Sequence, residues 1–207
     1  MLTPALSPTA GVAVRARELK QFLDRHAPGE SVHIIAHSMG GLDARYMISC
    51  LGMSRRVLSL TTLGTPHRGS PVADWGVQRL KHLLRPIFQF FDVPTQAFYD
   101  LTTTKCKSFN ERVIDAPSVR YFSVAGEHDG SDWRPEWLAP YFLVHQAEGP
   151  NDGLVSITSA SYGESVDIWQ GDHLSLVNFA WAQHGKSGRD PVRRWRPLLG
   201  RLADEGF

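Results

Sequence analysis

Ser31-Val32-His33-Ile34-Ile35-Ala36 is a short β-branched run, and it passes with almost no spacer into an apolar pattern of a different period. Such a run suits a strand buried in a parallel sheet. The pattern that follows sets Leu42, Tyr46, Met47 and Cys50 on one face of a helix. Alternation of strand and helix points to a wound α/β sheet.

The rest of the chain fits that alternation. Val12, Ala16, Leu19, Phe22 and Leu23 recur at helical intervals before Pro28-Gly29, which marks an amphipathic helix and its stop. Val57 to Leu63 reads as a second strand, followed by the breaker-rich Gly64-Thr65-Pro66-His67-Arg68-Gly69-Ser70. Ser118 to Ala125 resumes the sheet, a long loop rich in Trp and Pro follows, and Ser165 to Trp169 makes a last strand. A helix from Leu174 to about His184 and an Arg-rich tail helix after Pro191 close the chain. Between Pro71 and Asn110, Trp75, Leu80, Leu83, Leu84, Ile87, Phe88, Phe90 and Phe91 crowd into a helical stretch broken by Pro86 and Pro94. The expectation is one domain over 1–207, a mostly parallel α/β sheet flanked by helices, with 71–110 inserted as a helical cap.

Composition narrows the function classes. Lys plus Arg number 22 against 21 Asp plus Glu, so there is no electrostatic footprint for nucleic acid and no polybasic membrane anchor. No stretch has the length and apolarity of a membrane span, and the N-terminus shows no cationic segment followed by an apolar run. As written, that points to the cytoplasm, or to secretion if the N-terminus is truncated. Cys50 and Cys106 make neither a disulfide framework nor a zinc site of short spacing. They read as free buried thiols, with a single bridge as the alternative.

Chemistry concentrates at Ala36-His37-Ser38-Met39-Gly40-Gly41. Between a strand and a helix this is a small-x-Ser-x-small nucleophile elbow, whose turn is too tight for bulky residues two positions either side of the serine. Ser38 projects into a cleft, and the Met39 N–H, at the positive end of the next helix, can donate to an oxyanion. A serine hydroxyl is a poor nucleophile near neutrality. It needs a histidine to take its proton and a carboxylate to fix that histidine's tautomer.

Of the nine histidines, His173 follows the last strand and comes late enough for the order Ser, acid, His. His67 and His128 also follow strands and compete, but they precede the best acid and read as supporting or pocket-lining residues. His26, His82 and His184 fall in helical patterns and His33 within a strand. Asp152, in Asn151-Asp152-Gly153-Leu154-Val155, is the best-placed acid, Asp129 is the alternative, and Asp172 reads as a loop-orienting residue because it adjoins His173.

Together, Ala36 to Gly41, Leu63 to Ser70, Asn151 to Val155 and Asp172-His173-Leu174 resemble the bacterial triacylglycerol lipases and related fungal esterases, over Val12 to about Trp181. The resemblance implies an α/β-hydrolase fold, Ser38, Asp152 and His173 as a catalytic triad, and no cofactor. Calcium-binding members carry an aspartate two residues after the catalytic histidine, where this chain has Ser175, so no metal is implied. Family members also have upstream strands and a His-Gly loop giving a second oxyanion donor, and no His-Gly pair precedes Ser38. The fold therefore reads as N-terminally reduced, with Val32 to Ala36 an exposed edge. That edge is to be filled by Thr3 to Thr9, by a second subunit in a homodimer, or by a different strand order. The Leu6 to Thr9 segment or a partner chain is expected to supply the missing N–H.

The expected reaction is hydrolysis of an apolar acyl ester, a small-molecule or lipid substrate, through an acyl-enzyme, with Trp75, Leu84, Phe88 and Phe91 lining the acyl site. The rival readings are another serine hydrolase (thioesterase, amidase or polyester hydrolase) and an inactive hydrolase-like binding module.

Overall fold

The computed structural model describes residues 1–83, 96–128, 135–177 and 191–204. Four parallel strands, β1 (Val32–His37), β2 (Val57–Leu63), β3 (Arg120–Glu127) and β4 (Ser165–Gln170), pair in the order β1-β2-β3-β4. β2 is buried at every position but Leu58, whereas β1, at the edge, is only half-buried along its length. The β-branched run read as a buried strand is thus the half-buried edge β1, and the strand buried on both faces is β2.

One face carries α1 (Val12–His26) and α2 (Gly40–Cys50), whose Ala16, Leu19, Leu23, Ala44, Met47 and Ile48 pack on Val57 and Leu60. The apolar periodicity predicted for both helices is the face they bury. Gly11, the N-cap of α1, has no side chain to offer, so Asp100 Oδ2 accepts the Val12 N–H at 2.8 Å instead. On the other face, Leu63, Val124 and Leu176 pack under Leu198 of α8 (Pro191–Asp204). Trp195 meets Trp169 edge to face, and Arg201 pairs with Asp167. As the partner rises along β4 from Asp167 to Trp169, the α8 residue falls from Arg201 to Trp195, so α8 runs antiparallel to β4.

The interval 71–110 holds α3 (Pro71–Leu83), α4 (Gln96–Asp100) and the start of α5 (Thr103–Arg112). Cys106 and Phe109 of α5 belong to a core cluster with Val12, Met39 and Leu42, so this end of the interval is anchored beneath the elbow. Asp74 ties α3 to α5 by accepting the Thr103 N–H and hydroxyl at 3.0 and 2.8 Å.

Three expectations are corrected. The Trp- and Pro-rich stretch read as loop contains α6 (Pro135–Glu148), and a short α7 (Ile157–Ala160) follows it. Pro140 inside α6, with apolar residues all round the helix, hid its period. Thr3 to Thr9 adds no strand beside β1. Ser7 N–H donates to Glu18 Oε2 at 2.8 Å, Arg15 donates to Ser7 O, and Leu6 packs into the α1–α2 core. The segment therefore lies along α1, and the Ser7 amide is unavailable as an oxyanion donor. Cys50 is exposed and only Cys106 is buried, both as free thiols. After Leu174 a single 3₁₀ turn, Ser175–Val177, is described, and the remainder of the predicted helix lies outside the described residues.

Candidate active site

Among the described residues, Ser38 is the non-glycine residue with positive φ, at 53°. The left-handed region costs a side chain roughly 1–3 kcal/mol and is held only where neighbours over-determine it. They do so here: Ser38 N–H donates to Leu63 O at 2.9 Å, and Ser38 O accepts from Gly41 N at 3.1 Å and from Thr65 Oγ1 at 2.7 Å. Gly41 makes the turn sterically feasible, because a Cβ there would stand 2.3 Å from Thr65 Oγ1. α2 begins at Gly40 with Met39 as N-cap, and its Gly41 and Leu42 amides turn back on Ser38 O and Met39 O, closing the first turn of the helix.

Asp152 is positioned by its own short loop. Its Oδ1 accepts Leu154 N–H at 3.0 Å and Val155 N–H at 2.8 Å, while Asn151 Oδ1 accepts Gly153 N–H at 2.8 Å and Gly153 takes φ 100°. Asn-Asp-Gly supplies these self-bonding turns, and it leaves Asp152 Oδ2 to meet His173 Nδ1 at 2.7 Å. His173 N–H also donates to Asp152 O at 2.8 Å. Asp172 takes the loop-orienting position expected of it, its Oδ1 accepting Leu174 and Ser175 N–H. Both members of the His173–Asp152 pair are buried. Gly64 permits the approach: at φ 55°, a Cβ there would lie 2.9 Å from Asp152 Oδ2 and 3.2 Å from His173 Nδ1.

Burial draws the His173 pKa down, but the charge of Asp152, its hydrogen bond and the charge of Asp172 outweigh this and raise it above the usual imidazole value. With Nδ1 donating to the carboxylate, Nε2 is the ring's available base.

His37 joins the two halves of the site, and sequence reasoning gave it no part. Its ring lies 4.5 Å from that of His173, and its Nε2 is 2.9 Å from His173 O. Only the motif position, last in β1 beside the serine, could have signalled it.

The remaining candidates separate. His67 is fully buried, its Nε2 2.9 Å from Thr62 Oγ1, its Nδ1 3.4 Å from Arg45, and its ring stacked on Tyr162 at 4.2 Å. It props the β2 loop and lines no cleft. His33 Nδ1 meets Ser59 Oγ at 2.9 Å, His26 is on the surface against Phe22, and His128 N–H donates to Asn151 O. Trp75 is 49% exposed on α3. Leu84, Phe88, Phe91, Asp129 and His184 lie outside the described residues, as does the side chain of His82. Among the described residues, no group of three or more His, Cys, Asp or Glu could hold a metal ion.

A parallel sheet with a strained serine between strand and helix, and a buried His–Asp pair carried by later loops, defines an α/β-hydrolase fold. Solved structures agree on that fold. A metagenomic carboxyl esterase superposes with TM-score 0.79 at 16% identity, covering 98% of this chain and 65% of its own. The mature Bacillus licheniformis lipase gives 0.67 at 24%, covering 93% and 76%. The chain belongs to the PGAP1-like alpha/beta domain family, which it matches over residues 14–169. It is also 41% identical over 160 residues to Triacylglycerol lipase 2 of Saccharomyces cerevisiae, an alignment covering 72% of this chain and 46% of the yeast protein. The chain thus spans about half the length of that relative.

Proposed function

We propose that this chain hydrolyses carboxylic esters as a lipase or esterase, with Ser38 as nucleophile, His173 as base and Asp152 as its orienting carboxylate. The observation that carries the reading is the buried 2.7 Å contact of His173 Nδ1 with Asp152 Oδ2, on the same end of the sheet as the strained Ser38. His173 Nε2 takes the Ser38 proton as the hydroxyl oxygen attacks the ester carbonyl. The Met39 N–H stabilises the tetrahedral oxyanion, and His173 then protonates the departing alcohol. Water, deprotonated by the same imidazole, releases the acid from the acyl-enzyme.

The names of the relatives, a triacylglycerol lipase and a carboxyl esterase, support an apolar acyl ester as substrate. We assign the acyl contacts to the cap over 71–110, with Trp75, Leu84, Phe88 and Phe91 as its apolar lining. A panel of nitrophenyl esters, acyl thioesters and anilides tests the assignment, with Ser38→Ala as control. Turnover of esters that Ser38→Ala abolishes is the expected result. Preference for thioesters or anilides reassigns the reaction, and equal rates for both proteins remove the hydrolase reading.

A further inference from the structure

We infer that His37 is a positioning residue for the base, locking the backbone of His173 to the nucleophile elbow; the inference rests on the hydrolase reading above. His37 ends β1 and its peptide bond leads directly into Ser38, so its side chain shares the frame of the nucleophile. Its Nε2 lies 2.9 Å from the carbonyl oxygen of His173, a contact spanning 136 residues of sequence. A carbonyl only accepts, so Nε2 carries the hydrogen. Burial, and the neighbouring His173, push the His37 pKa down to about 4. The ring is therefore neutral in ordinary buffers, and its single N–H is the one engaged.

The bond has a geometric consequence. Asp152 fixes the His173 ring through Nδ1 and the His173 backbone through its N–H, at 2.7 and 2.8 Å. Both restraints tie His173 to the loop that follows α6, and neither refers it to the serine. The His37 bond supplies that reference, from the residue next to the nucleophile. The tilted packing of the two rings, centroids 4.5 Å apart, opposes sliding of one past the other. Loosening the link lets His173 Nε2 drift relative to the Ser38 hydroxyl while the His–Asp pair stays intact. A displacement near 1 Å can lower a rate on the order of 10²-fold.

The test pairs two variants of the full chain with one measurement on the unaltered protein. His37→Phe keeps a ring and removes the donor, whereas His37→Gln keeps an amide N–H where Nε2 stands. His37→Phe is expected to lose on the order of 10²-fold in kcat on a soluble nitrophenyl ester with KM little changed. His37→Gln is expected to restore most of that loss. Nitrogen-15 NMR of the unaltered protein is expected to show His37 as the Nε2–H tautomer, a result that does not depend on either variant folding. An Nδ1–H tautomer, or variants that are equally active or equally impaired, overturns the inference. Failure of the hydrolase reading shows separately, as Ser38→Ala matching the unaltered protein.

Discussion

Among the described residues, two imidazoles are buried near the carboxyl ends of the strands, and they have opposite surroundings. His173 faces the carboxylate of Asp152, and its pKa rises. His67 faces the guanidinium of Arg45, and burial together with that charge holds its pKa well below the ordinary value. Arg45 donates to His67 Nδ1, so His67 donates through Nε2 to Thr62 Oγ1, which donates onward to Phe122 O. One ring is thus held as a base by its carboxylate partner, and the other is fixed as a neutral link between loop and sheet. Burial alone does not distinguish them; the sign of the nearest charge does.

The largest expected effect breaks the His173 side of this contrast. Ser38→Ala and His173→Gln should each lower kcat by about 10⁶-fold, because groups that act as a unit fail together, and Ser38→Ala should do so with little change in thermal midpoint; steady-state kinetics and calorimetry read both. Asp152→Asn should cost about 10⁴-fold. The base must be neutral to act, so in the unaltered enzyme kcat/KM should rise with pH through a value above about 6.5. Removing the Asp152 charge should move that limb downwards, and a limb that stays put would dissociate the pair.

Gly64→Ala comes next, since its Cβ would enter the space between Asp152 and His173; activity should fall further than the thermal midpoint does. His67→Gln should do the reverse, retaining kcat in the folded fraction while destabilising by about 1–3 kcal/mol through unpaired buried groups. Because the His67 pKa is depressed on folding, its contribution is present above the unfolded value and fades as pH falls below it. The denaturation penalty of His67→Gln should therefore shrink in acid. Loss of activity at unchanged stability would erase the distinction between the two rings.

The smallest expected effect concerns Asp43, buried on α2 with Oδ1 unpartnered and its pKa raised to about 7, mainly by burial and against the pull of Arg15. A carboxyl raised on folding is best tolerated while protonated, so its penalty grows as pH rises from the unfolded value towards 7. Asp43→Asn should gain thermal midpoint relative to the unaltered protein over that interval.

The contrast also explains what the sequence made legible. The elbow could be read because its signals are local: small residues around Ser38, a β-branched strand before it and a helical period after it; the steric demand itself falls at Gly41, against Thr62 and Thr65, and not at Gly40, where a Cβ would make only ordinary contact. Asp152 could be placed because Asn-Asp-Gly is a turn-forming setting before an apolar pair, with Asp129 left as the alternative, and His173 because it follows the last strand and comes late enough for the order Ser, acid, His. His67 was expected to support or line the pocket. Its burial depends on Arg45, Tyr162 and Asn110, which come from distant segments, and no local spacing reveals that convergence. α6 escaped for a different reason: a helix with apolar residues on all sides and an internal proline has no period to detect. His37 escaped because its partner is a backbone carbonyl, which leaves no mark in the sequence.

Covalent labelling by a fluorophosphonate, followed by peptide mass analysis, tests the central claim most directly. An activated Ser38 predicts a single adduct on the peptide that contains it, absent from Ser38→Ala and formed far more slowly in His173→Gln. An adduct on another residue, or His173→Gln labelled as fast as the unaltered protein, would contradict the account.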